Sequence, residues 1–334
     1  MRNIFLFSHS SRDDVFMKPP KAIHLPGGNY FDNVMIDVEK SIQIQEQWIN
    51  NVQKHTVCQS RSKNYFNLAC LVLAKKTHFH EFLVNVGLNR QWFDEFVDYW
   101  RDALDGRPLT VLDFHNLRFH YRTKSQYTRT LNWDNPQEHL KNWQSPNNTS
   151  SIFNYVYKLA LQPISSRRLP RILKENMRIL EYGCSLAPMY RTWRKYFNHI
   201  PTQWVLADIA NLSFHYARHT YGRDLEAEFV LIKEDMFSDP LKQVDEAFDL
   251  IVVSEVFEHL DKPRYIAEYL LNRLNKGGLF YFDYIRSEAI GLDTVAGLEE
   301  RIPTLEFLSS KLEFVYGNFH IEDKSLGTCI GRKR

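Results

Sequence analysis

The chain has 334 residues, 44% of them hydrophobic and 25% charged, with a formal net charge of +2. These proportions belong to a globular protein of about two domains and exclude wholesale disorder, a collagen-like repeat or a coiled-coil rod. No run of about 18 apolar residues is present, so no membrane-spanning helix is expected, and Ile4–Phe7 is too short for a secretory leader.

Cys58, Cys70, Cys184 and Cys329 are scattered, with no CxxC pair. That pattern supports neither a disulfide framework nor a zinc finger, and a reduced, cytoplasmic setting is the expectation. The small net charge hides an asymmetry. The first 170 residues carry 21 basic and 15 acidic side chains; the remainder carries 21 and 25. A duplex-binding domain shows a stronger basic excess, so nucleic acid is not the first partner expected.

Residues 1–33 read as irregular, broken by Pro19, Pro20, Pro26, Gly27 and Gly28. From Asn33 to about Gly106 the pattern is helical. Val38, Ile42, Ile49 and Val52 recur on one face, and Trp92, Phe93, Phe96, Val97, Trp100 and Leu104 form a wide apolar stripe. The stripe stops at Gly106 and Pro108, which end helices. It reads as core or as a face for a homodimer in preference to a ligand pocket. Residues 109–150 interleave Phe114, Phe119, Tyr121, Tyr127 and Trp133 with Arg118, Arg122, Lys124 and Arg129. Such a stretch serves as a connector, as a surface for an acidic small substrate, or as a single-strand platform. The division expected is a mainly helical region over 1–150, acting as lid, acceptor-specificity or dimerisation unit, and a second domain over 151–334.

After Pro170 the texture changes. Short apolar runs at 177–182, 204–207, 229–232, 248–253 and 279–282 alternate with helical stretches at 210–221 and 264–274. Continuous apolar strands spaced by helices predict a parallel sheet covered on both faces, hence a doubly wound α/β domain. A helix over 298–310 and two strands at 312–316 and 327–331 predict a terminal antiparallel hairpin.

In such sheets the ligand binds at the carboxyl ends of the strands. Those ends carry Glu181-Tyr182-Gly183, Asp208-Ile209, Asp235-Met236 and Ser254–His259. A dinucleotide cradle needs glycine where Ser185 and Pro188 stand, and it does not want Glu181 beside a pyrophosphate. A nucleoside that carries positive charge and no phosphate fits better. S-adenosylmethionine is one: acids suit its sulfonium and ammonium, Asp208 suits its ribose hydroxyls, and Asp235 with Met236 suits its adenine.

The series ILEYGCSLAP (179–188), VLADIA (205–210), EDMF (234–237), FDLIVVSEVFEHL (248–260) and LNKGGLFYF (274–282) resembles the motifs of class I S-adenosylmethionine-dependent methyltransferases. Its texture is nearest to the ubiquinone-type small-molecule group. The resemblance covers the chain from Met177 onward and leaves the N-terminal half unmatched. It implies that Gly183 contacts the methionine end of the cofactor with Glu181 beside it, that Asp208 takes the ribose, Asp235 and Met236 the adenine, and Ser254 the region near the sulfonium, with Tyr182, Ser185 and Ile209 also in the cofactor site. The family's second and third glycines are Ser185 and Ala187 here. S-adenosylhomocysteine would be the product.

For the proton that a nucleophile must lose, His259 is the leading base, since its intrinsic pKa lies near neutrality. Glu258 and Glu255 stand close by. Glu255 and His259 would share a face if the segment were helical, but no third ligand accompanies them and no metal is expected. A small-molecule acceptor is the first expectation. An RNA or protein methyltransferase, or a non-catalytic protein of the same fold, is the alternative.

Overall fold

The computed structural model describes residues 90–99, 101–102, 169–209, 211–233, 236–286, 293–322 and 325–334. Asp235, the 109–150 segment and the boundary at 150/151 lie outside them, as does most of the N-terminal helical region. The described residues fall in two units, one holding residues 90–102 and the other 169–334. In the first, α1 (Arg90–Tyr99) occupies the predicted helical stretch, with Phe96 and Tyr99 buried.

The second unit begins with a short helix α2 (Leu169–Ile172) and is built on a seven-stranded sheet. Its strands are β1 (Met177–Tyr182), β2 (Thr202–Ile209), β3 (Ala227–Ile232), β4 (Phe248–Val253), β5 (Leu274–Tyr284), β6 (Leu312–Tyr316) and β7 (Leu326–Lys333). The spatial order is β3-β2-β1-β4-β5-β7-β6. The first five strands are parallel, whereas β7 is antiparallel to both β5 and β6. The hairpin was predicted; the insertion of β7 between β5 and β6 was not, because strand order within a sheet has no local signal.

The central parallel strands are mostly apolar, as expected where helices cover both faces of a sheet. Ile179, Leu180, Leu250, Ile251 and Val253 have no exposed surface. Aromatic rings fill the two layers differently. Tyr190, Trp193, Trp204 and Tyr221 form one cluster, with Tyr190 and Trp204 edge to face at 5.6 Å. Phe257, Phe280, Phe282 and Tyr284 form another, which continues through Phe282 to Phe314 and Phe319. Such offset and edge contacts add to the burial itself.

The helices are α3 (Pro188–Tyr196), α4 (Leu212–Tyr221), α5 (Pro263–Asn272), α6 (Val295–Glu299) and α7 (Arg301–Lys311). Proline opens α3 and α5, where a missing N–H costs nothing. Asn211 caps α4 by accepting from the amide of Phe214, and Thr294 caps α6 by accepting from Gly297. One helix was predicted over 298–310, but two are found, broken at Glu300. Pro303 explains the break. In a continuous helix it would clash with the turn before it, whereas a new start at Arg301 places it in a first turn.

The connection from β1 to β2 runs toward one edge of the sheet, and that from β3 to β4 runs to the other side of β1. The switch point therefore lies between the carboxyl ends of β1 and β4, where a ligand crevice is expected in open α/β sheets.

Candidate active site

Two groups of acids flank this switch point. The first lies at the ends of β1 and β2. Glu181, the penultimate residue of β1, is buried, and its two carboxylate oxygens accept the amides of Met189 and Tyr190, each at 3.0 Å. The N-cap residue of α3, Ala187, has no side chain able to do this. The strand thus supplies the acceptors that the helix end lacks. Burial still outweighs those two bonds and pushes the Glu181 carboxyl up to about 8.

Between strand and helix the chain turns through Gly183, Ser185 and Ala187, with φ of 65°, 50° and 50°. All three are left-handed, the region that favours glycine. A Cβ on Gly183 would lie 2.5 Å from a methyl carbon of Val256, so this position also needs the close approach. Ser185 and Ala187 keep the glycine conformation without being glycine. One reason is visible: the Ser185 amide donates to Asp208 at 2.6 Å.

Asp208, near the end of β2, accepts three bonds in all. Besides Ser185, it takes the amide of Ile209 at 2.7 Å and the side-chain amide of Asn211 at 3.1 Å. A carboxylate offers about four acceptor positions, so capacity remains for a hydroxyl. Burial raises the Asp208 carboxyl to about 6, against the pull of these donors. Tyr182 is buried beside it, and its phenol is pushed above its ordinary value by burial and by the Asp208 charge. Met236 is buried after β3, and Ile209 is half-buried.

The second group lies at the ends of β4 and β5. Ser254 follows β4, and its hydroxyl donates to Asp283 at 2.6 Å. The next amide, that of Glu255, donates to the other oxygen of Asp283, also at 2.6 Å. Glu255 itself is exposed and left-handed, with φ of 55°. A short 3-10 turn, Phe257–His259, follows, so Glu255 and His259 do not lie on one α-helical face. His259 is half-buried, and its backbone N–H closes the turn onto the carbonyl of Val256. Glu258 is only 2% exposed, and one of its carboxylate oxygens has no hydrogen-bond partner among the described residues. Burial and the neighbouring acids raise the carboxyl to about 9.

Asp283 escaped the sequence reading because the fifth strand was ended at Phe282. The rule that found the other acids, a carboxylate at each strand's end, would have found this one with the strand two residues longer. Burial lifts it to about 6. Tyr284, at the end of β5, is buried with its hydroxyl committed to the carbonyl of Gly297. Among the described residues, no group of three or more His, Cys, Asp or Glu is arranged to hold a metal, and no helix is long and apolar enough to cross a membrane.

Residues 153–316 match the family model for the methyltransferase domain. Solved structures similar to this chain include a methyltransferase from Pyrococcus furiosus, 19% identical, covering 52% of this chain and 84% of its own, with TM-score 0.35. Another is the methyltransferase in complex with the Haloferax volcanii Trm112 methyltransferase activator, at 17% identity, 51% and 89% coverage and TM-score 0.38. A third is the CurJ carbon methyltransferase, at 12% identity, 69% and 73% coverage and TM-score 0.45. No curated protein matches the sequence. Over residues 153–316 the family match agrees with the sheet order and the motif series on a methyltransferase domain of the class I fold.

Proposed function

We propose that this domain transfers a methyl group from S-adenosylmethionine to a small-molecule acceptor. The observation that carries the reading is the pairing of Glu181 with the start of α3. A dinucleotide would place its pyrophosphate on those amides. Here they are already bonded to a carboxylate, so a phosphate would find neither free donors nor a favourable charge. A phosphate-free nucleoside with positive charge meets no such obstacle.

The residues present fit that cofactor. Asp208 retains acceptor capacity for ribose hydroxyls and is held in place by three donors. Met236 offers a buried apolar wall for adenine, with Asp235 before it. The Gly183–Ala187 turn and Ser254 border the space left for the methionine end. Glu181 supports that turn through the helix it caps and does not itself meet the ligand. When bound, the cofactor supplies an electrophilic methyl group on a sulfonium. The protein then has to position the acceptor and remove its proton. His259, on the turn beyond β4, is the base we assign to that step, with Glu255 and Glu258 around it.

Calorimetric titration with S-adenosylhomocysteine and with NAD tests the reading: the first should bind and the second should not. Asp208→Ala should weaken S-adenosylhomocysteine at least about tenfold, since it removes the ribose acceptor and the anchor of the Ser185 amide. Tight NAD binding, or unchanged affinity in the variant, would overturn the proposal.

A further inference from the structure

The acids at the β4–β5 corner exceed what the cofactor requires. Asp283 binds Ser254 and Glu255. The amide of Thr294 donates to the Glu258 carbonyl at 2.9 Å, and its hydroxyl donates to the Leu260 carbonyl at 2.8 Å. These bonds hold the loop after β4, the end of β5 and the start of α6 against one another. They bring Glu255, Glu258, Asp283 and Asp293 into one neighbourhood. The charged groups acting on Glu258 are Asp283, Asp293 and Glu255, all acids. Arg301, whose guanidinium lies beside the Tyr284 ring, donates to the carbonyls of Ile321 and Glu322.

A buried carboxyl with an oxygen left unpartnered, among other acids, is costly unless a proton or something positive completes it. Glu258 stands in that position: 2% exposed, with one oxygen unbonded among the described residues. Simple packing does not account for it, since an apolar residue of similar size would fill the space more favourably.

We infer that the β4–β5 corner binds a basic nitrogen of the methyl acceptor, so that the acceptor is a small amine or guanidine held by Glu258 with Asp283 and Glu255. This rests on the reading of the domain as an S-adenosylmethionine-dependent enzyme and narrows its substrate class. The acidic corner favours a cation, and Glu258, protonated while the corner is empty, passes its proton to the arriving basic nitrogen and then holds it as a carboxylate–ammonium pair.

The cofactor carries a cationic nitrogen too, so the test separates the two sources. The full chain, saturated with S-adenosylhomocysteine, is titrated with methylamine, putrescine, tyramine and agmatine. The first three are matched by their hydroxyl counterparts: methanol, 1,4-butanediol and 4-(2-hydroxyethyl)phenol. At least one amine should bind about tenfold or more tightly than its counterpart, or agmatine should bind in the micromolar range. Glu258→Gln should remove most of that preference and leave S-adenosylhomocysteine affinity within about twofold. Should Glu258→Gln fail to fold, Glu255→Gln, at an exposed position, carries the same comparison with a smaller loss. Equal binding of amines and counterparts, or no amine binding, overturns the inference if S-adenosylhomocysteine still binds. So does a Glu258→Gln variant that loses the cofactor product and keeps the amine. Failure of S-adenosylhomocysteine to bind the unaltered protein would instead overturn the reading beneath it.

Discussion

The two acidic corners of the sheet are built from the same side chains and behave differently. At the β1–β2 corner every carboxylate oxygen has a backbone or side-chain donor: Glu181 holds two helix amides, and Asp208 holds Ser185, Ile209 and Asn211. At the β4–β5 corner Asp283 is similarly engaged, but Glu258 keeps an oxygen without a partner. The difference teaches which acids shape the site and which await a ligand. Bonded carboxylates set the backbone of the turns. The unbonded oxygen carries an unmet demand for a partner.

The largest expected effect is at Gly297. A Cβ there would lie 2.3 Å from the Glu258 carbonyl oxygen and 2.7 Å from its carbon. Backbone cannot yield as a flexible side chain can, so Gly297→Ala should cost about 3 kcal/mol by denaturant unfolding. A loss below about 1 kcal/mol would mean that α6 is not tied to the Glu258 turn, and the second corner would lose its definition.

At the first corner, Glu181→Ala leaves the amides of Met189 and Tyr190 without their acceptor. Loss of a cap of this kind costs about 1–2 kcal/mol. The measurement belongs at pH 6, below the value of about 8 to which burial raises this carboxyl. An unchanged unfolding midpoint would show that the helix end is satisfied in another way.

The pH profile separates the corners further. Glu181, Asp208, Glu258 and Asp283 all have folded-state values above those of free carboxyls, near 8, 6, 9 and 6 respectively. The unfolded chain releases these protons near pH 4, so at intermediate pH the folded state holds more of them. Their contribution to stability is therefore complete below about pH 4 and is lost as pH rises through the folded values. Glu258→Gln should make the decline between pH 6 and 9 shallower, by at most about 1.4 kcal/mol per pH unit for the single group removed. A slope unchanged from that of the unaltered protein would place the Glu258 proton elsewhere. The smallest effect is expected at the β1 turn. Ser185→Gly relieves a left-handed backbone and loosens the unfolded chain, and the net gain should be about 0.5 kcal/mol by thermal unfolding. A clear loss would mean that the serine hydroxyl has a role its backbone does not explain.

Much of this architecture was legible in the residues. The runs at 177–182, 248–253 and 312–316 coincide with β1, β4 and β6, and the helix predicted over 264–274 is α5 shifted by one or two residues. These succeed because an apolar run bounded by glycine, proline or an acid is a local pattern. Asp208 was expected near the end of a strand and stands there, at the penultimate position of β2. The direction in which Glu181 turns was not legible. From sequence it stood beside the methionine end; in the structure it faces α3, because Pro188 and Ala187 leave that helix without a side-chain cap. The local shape around Glu255 was not legible either. Asp283, distant in sequence, pulls the Glu255 amide out of any helix and leaves a tight turn behind it.

The order of residues alone determined a doubly wound α/β domain with acids at its strand ends, since burial on both faces and turn chemistry are written locally. The tertiary structure decided where each acid points: which caps a helix, which fastens a loop and which stays without a partner. Those outcomes depend on groups tens of residues away, such as Asp283 for Glu255 and Thr294 for Glu258. No periodicity reports such neighbours; only the packed sheet brings them together.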